Sequence, residues 1–331
     1  MRAFRGSGFS LRLAGLAVLA ICAVTHAQSG SKASDSPYQK DSNWPQLPQG
    51  MKLTLAIGMF PDADDNIWLL HRSDPPIIKF DPSGRILKSF GDKMFAQSHG
   101  FCMDRAGNLW AGDSRSFQFF KFNQDGKVLM TLGQAGVSRV GPDTFVSPTA
   151  CIEAPNGDII IADGHIPRTE NQEVGDRLVR FSRDGKFIRD YGKTGRGPGE
   201  FRGPHQLAYD SQGRLFVADR QNNRLQIFDK NMNFVGEWKQ FGRPSGLSIL
   251  KDDTLMVIDS ESGRAMTWTD WPGEDPKVPR NPGFTTGVRM GSARTGVVAL
   301  HFEVPFSEAG TADSKGNVYI GGEGHKFVKR K

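Results

Sequence analysis

Three residues that can bind metal ions occupy the same place in different copies of a sequence repeat. His99, His205 and Glu308 each precede, by eleven residues, the second position of an apolar strand motif. Two imidazoles and one carboxylate are a normal ligand set for zinc, and three protein ligands leave a fourth position for water or substrate. The pattern predicts a site for zinc or a similar divalent ion. The alternative is structural, because a histidine in Ser-His-Gly or Pro-His-Gln can also simply fill the start of a strand.

A second position of chemical interest follows the first by fourteen to sixteen residues, where most copies carry Asp. Asp at a strand end is typical of a structural role, since its carboxylate accepts hydrogen bonds from loop amides. Arg72 and His165 break this pattern. An arginine beside a metal suits a substrate carboxylate, and a histidine can exchange a proton near neutral pH. Arg72 and His165 are therefore the candidate catalytic residues.

The elements that must position these residues are short strands in a repeat of roughly 40 to 60 residues. Each copy has an apolar strand, a glycine-containing turn, a β-rich strand and further strands after a second turn. Four strands form a propeller blade, so six copies predict an all-β, six-bladed β-propeller. Alternate blades lie about 120° apart, and side chains from blades two, four and six can point at one central atom. The six copies of the second strand are residues 65–71, 107–113, 157–163, 213–219, 253–259 and 316–322.

The last copy is incomplete, because it stops at residues 327–329 without a fourth strand. A closed ring needs that strand from another part of the chain. We predict that a segment between Tyr38 and Thr54 supplies it.

The N-terminal region predicts export. Residues 1–27 combine arginines, an apolar stretch and a final Ala, as in a cleaved signal peptide, and residues 28–50 have the composition of a linker before a propeller at 51–331. Cleavage would lower the net charge from +6 to +3 and leave no stable membrane span, so neither nucleic acid nor a bilayer is an expected partner. In a secreted or periplasmic protein Cys102 and Cys151 can form a disulfide, although two buried thiols fit equally well.

The chain resembles the peptidyl-α-hydroxyglycine α-amidating lyases, a group of NHL-repeat propellers, from about residue 58 to residue 327. The blade pattern itself is common, and the His, His and Arg positions are the more specific part of the resemblance. The stretches that carry it are residues 58–59, 71–72, 99–101, 108–110, 148–149, 162–164, 197–201, 204–205, 217–220 and 318–321.

The resemblance implies that a carbinolamide, a peptidyl-α-hydroxyglycine, is split into a peptide amide and glyoxylate. It implies zinc bound by three histidines, of which His99 and His205 match two. It also implies that Arg72 holds the substrate or a catalytic partner, and that the backbone carbonyls of Met59 and Phe101 bind calcium.

Three positions depart from the family pattern. Glu308 stands in the place of the third histidine, and His165 stands in the place of a catalytic tyrosine. Ala309 replaces an aspartate that helps to bind calcium, which puts the calcium ion in doubt. These departures are compatible with a lyase whose substrate has drifted.

Two other functions stay open. A lactonase-like propeller would use the same axial metal to activate water for hydrolysis. A non-catalytic NHL-repeat module of the cell envelope would bind a partner on its loop-rich face. For either enzyme, a small molecule or a peptide is the substrate expected on that face.

Overall fold

The computed structural model describes residues 36–165, 175–267, 269 and 274–330. The expected signal peptide at residues 1–27 lies outside this part of the chain. The described residues form six four-stranded antiparallel sheets and a short 3-10 helix at Arg220–Asn222, which confirms the predicted all-β, six-bladed architecture. Within these ranges, no helix is long and apolar enough to cross a membrane.

The strands follow one another blade by blade, apart from the first. Strand β1 (Tyr38–Asp41) lies in the last sheet. Blade one contains β2 (Ala56–Pro61), β3 (Ile67–His71), β4 (Ile77–Phe80) and β5 (Ile86–Phe90). Blade two contains β6 (Ser98–Met103), β7 (Leu109–Asp113), β8 (Gln118–Phe122) and β9 (Val128–Gly133). Blade three contains β10 (Pro148–Glu153), β11 (Ile159–Asp163), β12 (Arg177–Phe181) and β13 (Phe187–Tyr191).

The remaining blades have the same order. Blade four contains β14 (Pro204–Tyr209), β15 (Leu215–Asp219), β16 (Arg224–Phe228) and β17 (Phe234–Trp238). Blade five contains β18 (Pro244–Ile249), β19 (Thr254–Asp259), β20 (Gly287–Ser292) and β21 (Val298–Phe302). Blade six contains β22 (Gly310–Ala312), β23 (Val318–Ile320), β24 (His325–Lys329) and β1. The first strands contact one another in a closed ring, from β2 through β6, β10, β14, β18 and β22 back to β2.

The second strand of each blade is almost entirely buried. Every residue of β7 and β11 is buried, whereas most of β13, a fourth strand, is exposed. A strand covered on both faces has no polar face, and the second strands therefore carry nearly continuous apolar runs. Trp110 of β7, for example, is fully buried in a cluster with Ile159 and Ile161 of the next blade. The core thus consists of apolar layers between neighbouring blades.

The ring is closed by the first strand of the chain. Strand β1 pairs antiparallel with β24, from Tyr38 opposite Lys329 to Asp41 opposite Lys326. The ring of Tyr38 stacks on Phe302 of blade five, with 5.1 Å between centroids. The predicted closure is confirmed. Residues 38–41 therefore belong to the propeller, although they lie in the segment 28–50 whose composition indicates a linker.

The inner strands of the first five blades share an irregularity that matters for the site. Each has a shift in pairing register at or next to the first position identified in the repeat, for example between His99 and Phe101 in β6. A bulge of this kind bends the strand and redirects a side chain. At Gly100, φ is +75°, and an added Cβ would lie 2.8 Å from the carbonyl oxygen of Thr149. Only glycine fits there.

The two cysteines form a disulfide. Cys102 of β6 is bonded to Cys151 of β10, so the bond links the innermost strands of blades two and three. Of the two states that the sequence left open, the structure contains the oxidised one.

Candidate metal centre

The six equivalent positions of the repeat lie together as a buried ring at one end of the inner strands. The histidines and the threonine at these positions bond to the neighbouring blade: Thr149 Oγ1, for example, donates to the carbonyl of Pro204 at 2.6 Å. We call these six positions the belt, because they surround the propeller axis. Only some blades have a metal-binding side chain at their belt position. The members of the belt, all less than 9% exposed, are Ile57, His99, Thr149, His205, Ser245 and Glu308.

The tautomers of His99 and His205 are fixed by backbone carbonyls. His99 Nδ1 lies 2.8 Å from the oxygen of Thr149, and His205 Nδ1 lies 2.8 Å from the oxygen of Ser245. A carbonyl can only accept, so Nδ1 must carry the proton in both rings. Each Nε2 therefore has a bare lone pair, and both Nε2 atoms are buried without a hydrogen-bond partner. Imidazoles oriented in this way are typical metal ligands.

The third histidine of the cluster is His165, not a residue of blade six. Ligand atoms of His99, His165 and His205 all lie within 4.8 Å of one another. The His165 ring centroid is 4.6 Å from that of His99 and 5.4 Å from that of His205. His165 follows Gly164, whose φ is +134°. The residue assigned from the sequence to catalysis thus lies among the candidate metal ligands.

Glu308, which the sequence predicted as the third ligand, is outside this histidine cluster. Its Oε1 accepts a hydrogen bond from Arg220 Nη1 at 3.1 Å, and its Oε2 lies 4.0 Å from Arg72 Nη2. Arg220 also lies 3.7 Å from Glu261 and 3.1 Å from Nε2 of His165. The Glu308 carboxylate thus lies between two arginine side chains.

Burial keeps the three imidazoles neutral. It lowers the pKa of His99 to about 3, and the positive charge of Arg72 contributes to that shift. Burial is also the main reason why the pKa values of His165 and His205 lie well below the ordinary value, with His99 and Arg220 as further causes for both. A metal ligand must offer an unprotonated nitrogen, so this environment suits a cation site.

The donor set therefore fits a divalent metal. Three neutral imidazoles are a common zinc ligand set, and two of them have orphaned, buried Nε2 atoms. Bonds of about 2.1 Å in a tetrahedral arrangement bring ligand atoms to roughly 3.4 Å from one another, so binding would contract the group slightly. Arg220 can only donate, so its hydrogen bond to Nε2 of His165 shows that Nε2 is the unprotonated nitrogen, and this atom would bind a metal in exchange for the bond from Arg220.

The repeated Asp residues have the structural role that the sequence predicted. Asp113 accepts hydrogen bonds from the backbone amides of Ala96, Gln97, Arg115 and Ser116. Its equivalents Asp163, Asp219 and Asp259 also accept from loop amides, and each accepts in addition from an arginine side chain. These carboxylates fix the loops that surround the histidine cluster.

Met59 and Phe101, the proposed calcium-binding carbonyls, lie on the inner strands β2 and β6. Both side chains are buried, and Ala309 is 1% exposed and offers no ligand atom from its side chain. The calcium site stays a prediction for these residues.

The residue that sequence reasoning missed is Arg220. It lies at the same position of blade four as Arg72 does in blade one, fifteen residues after the histidine or isoleucine of the belt. Its side chain bridges His165 and Glu308. The sequence contains the signal, an arginine after the repeated Asp, but nothing in the repeat shows that it turns towards the axis.

The comparisons with known proteins agree with the fold. A family model described as NHL repeat matches residues 201–228. This chain is a six-bladed propeller with an NHL repeat. Peptidyl-glycine alpha-amidating monooxygenase B of Xenopus laevis is 30% identical to it over 244 residues, which cover 63% of this chain and 27% of that protein. Peptidyl-alpha-hydroxyglycine alpha-amidating lyase 1 of Drosophila melanogaster is 32% identical over 165 residues, which cover 46% of this chain and 29% of that protein.

This chain thus spans little more than a quarter of the length of these two relatives. Among solved structures, a gluconolactonase of Xanthomonas campestris has a TM-score of 0.59 and 16% identity, with 84% of this chain and 86% of that chain covered. At this identity the likeness concerns the fold alone.

Proposed function

We propose that the protein is a metal-dependent lyase that splits a carbinolamide, with a peptidyl-α-hydroxyglycine or a close relative as substrate. The observation that carries the proposal is the cluster of His99, His165 and His205, in which two buried Nε2 atoms have no partner. Beside it lie two arginines and a carboxylate. Relatives named as amidating lyases, at about 30% identity, support this reaction over others on the same fold.

The arginines suit the carboxylate of such a substrate. Arg72 makes no hydrogen bond through its guanidinium to any other described residue, and its Nε is buried. Arg220 is held by Glu308 and faces His165. A guanidinium binds a carboxylate with two parallel hydrogen bonds, which would orient the carbinol carbon towards the histidine cluster.

In the reaction, the bond between the carbinol carbon and the amide nitrogen breaks. The hydroxyl oxygen loses its proton, the amide nitrogen gains one, and the carbinol carbon becomes the aldehyde carbon of glyoxylate. A bound divalent metal would supply Lewis-acid polarisation at the hydroxyl oxygen. We assign Glu308 as the proton acceptor, because its Oε2 is buried, makes no hydrogen bond and keeps a lone pair.

Export of the protein is part of the proposal. The leader-like residues 1–27 and the disulfide between Cys102 and Cys151 both favour a secreted or periplasmic location, since disulfides persist in oxidising compartments. A peptide or small-molecule substrate would then reach the site from the loop-rich face.

The test is a lyase assay on purified, metal-loaded protein with α-hydroxyhippurate. We expect glyoxylate and benzamide in equal amounts, about one divalent ion per chain by elemental analysis, and loss of both activity and metal in His205→Ala. Arg72→Ala should lose activity and keep the metal. Failure of metal-replete wild type to release glyoxylate would remove the lyase proposal.

The same preparation separates the alternatives. Hydrolysis of a simple lactone without glyoxylate release would identify a lactonase-like enzyme. A metal-free protein with unchanged thermal stability and no turnover of either substrate would instead identify a binding module.

A further inference from the structure

A cavity of about 250 Å³ opens between blades one and two, and its lining includes Arg72 and Ser98, the residue before His99. Three loops form it, and all lie at the end of the blades that carries Arg72. They are the loop after β3, the segment before β6 and the loop after β7. Its lining residues are His71, Arg72, Ser73, Asp74, Pro76, Phe95, Ala96, Gln97, Ser98 and Arg115.

We infer that this cavity binds small carboxylates and takes the two-carbon oxo-acid product as it leaves the centre, with Arg72 at the inner side and Arg115 at the outer side. The inference rests on the proposed function for the identity of the natural ligand. The site itself rests on the two guanidinium groups that share the cavity.

The two cations are available to a ligand. Arg115 is exposed, and within the described part of the chain its guanidinium makes no ion pair or hydrogen bond, although its backbone amide is bound to Asp113. Arg72 is 4.0 Å from Glu308, which is beyond hydrogen-bond distance, and its buried Nε has no partner. Two guanidinium groups that converge on one cavity suit a planar anion.

Several other polar groups of the cavity already have partners within the protein. His71 Nε2 donates to the carbonyl of Pro75, and Ser98 Oγ donates to the carbonyl of His71. Asp74, the acid in the lining, accepts a hydrogen bond from the backbone amide of Lys93. The cavity therefore has two cations with free donors and one acid, which favours an anion over a cation or a neutral ligand.

A larger cavity of about 460 Å³ near blades four and five is a weaker candidate. It also contains arginines, but Arg224 is bonded to Asp219 and Glu237, and Arg243 is bonded to Glu261. Lys239 lies 2.9 Å from Glu237. These cations are paired with acidic residues of the protein. The cavity therefore has fewer unpaired positive charges for an anion than the cavity of Arg72 and Arg115.

The test is a calorimetric titration of the purified, metal-loaded protein with glyoxylate, with uncharged glycolaldehyde as the control ligand. We expect glyoxylate to bind and glycolaldehyde not to bind. Arg115→Gln should raise the glyoxylate Kd about tenfold, the effect of losing one charge-assisted hydrogen bond. The matched control is Arg189→Gln, because Arg189 is an exposed arginine on the outer strand β13. It should leave the Kd unchanged.

The same variants separate this inference from the proposed function. If α-hydroxyhippurate is not cleaved but glyoxylate binding depends on Arg115, the carboxylate site stands and the lyase proposal falls. If wild type is an active lyase and inhibition by added glyoxylate is equal in wild type and Arg115→Gln, the inference is overturned. Absence of glyoxylate binding to wild type at millimolar concentration overturns it as well.

Discussion

Two sets of buried polar residues come from the same repeat but differ in whether their polar atoms have hydrogen-bond partners. Both carboxylate oxygens of Asp113, Asp163, Asp219 and Asp259 accept hydrogen bonds from loop amides or side chains. In the axial cluster, His99 Nε2, His205 Nε2, Arg72 Nε and Glu308 Oε2 are buried without hydrogen-bond partners. Buried polar atoms in proteins are nearly always satisfied. The aspartates therefore belong to a scaffold whose hydrogen bonds are all made within the protein, whereas the axial cluster has polar atoms that a ligand can bind.

The largest effect is expected in the scaffold. Asp219→Ala should lower the free energy of unfolding by about 3 to 5 kcal/mol, because it removes a fully buried carboxylate that pairs with Arg224 and leaves the buried donors of Arg202 and Gln226 without their acceptor. Urea unfolding followed by fluorescence measures the change. In metal-free protein, His205→Ala should cost less, about 1 to 2 kcal/mol, since it loses the bond from Nδ1 to the carbonyl of Ser245 while its Nε2 has no protein partner to lose. Equal losses in the two variants would erase the distinction between scaffold and site.

The next effect concerns which residue is the third ligand. His165→Gln should weaken zinc binding at least about 100-fold, more than the loss of a residue that only supports a ligand. Glu308→Gln should retain the metal, because Glu308 lies against Arg220 and not in the histidine cluster. Competition with a chelator measures both affinities. The reverse order would restore the ligand set of His99, His205 and Glu308 that the sequence indicated.

A smaller effect is expected for turnover in the variant that keeps its metal. Glu308→Gln should lower kcat about 100-fold, the usual contribution of a positioned proton acceptor, with little change in KM. Glu303→Gln is the control, because Glu303 is exposed on the same segment of the chain. Full activity of Glu308→Gln would show that its carboxylate only balances the charge of the two arginines.

The smallest effect is the contribution of His71 to the pH dependence of the free energy of unfolding. Burial lowers the pKa of His71, whose Nε2 donates to Pro75 and whose Nδ1 accepts from the amide of Thr54. Below about pH 6.5 the unfolded chain takes up a proton that the folded chain resists, so stability falls as the pH falls. We expect His71→Asn to reduce this slope by up to about 1 kcal/mol per pH unit. Identical slopes in urea melts between pH 6.5 and 5 would contradict the assignment.

The fold and half of the site could be predicted because both depend on the repeat. Strand periodicity and turn glycines fix the number of blades, and a fixed spacing from the second strand places His99 and His205 on one level. In the first five blades the belt position lies at or next to a bulge in the inner strand, so a spacing rule from one of these blades applies to the others.

The remainder of the site depends on loops and on competition between charges. His165 lies in a loop, directly after Gly164, whose φ is +134°. The strand repeat does not determine the conformation of this loop. Glu308 has the right position for a ligand, but Arg220 is close enough to bind its carboxylate at 3.1 Å. Spacing in the sequence predicts the backbone position of a residue. It does not predict which of several nearby groups its side chain will contact.

Closure of the ring by β1 has a consequence for how the site assembles. His99, His165 and His205 come from blades two, three and four, which are consecutive in the chain and joined by a disulfide between two of them. Arg72 comes from blade one and Glu308 from the start of blade six, on either side of the seam that β1 and β24 complete. Contacts distant in sequence form late. A newly made chain would therefore bring the three histidines and Arg220 together before Arg72 and Glu308 join them at closure of the seam.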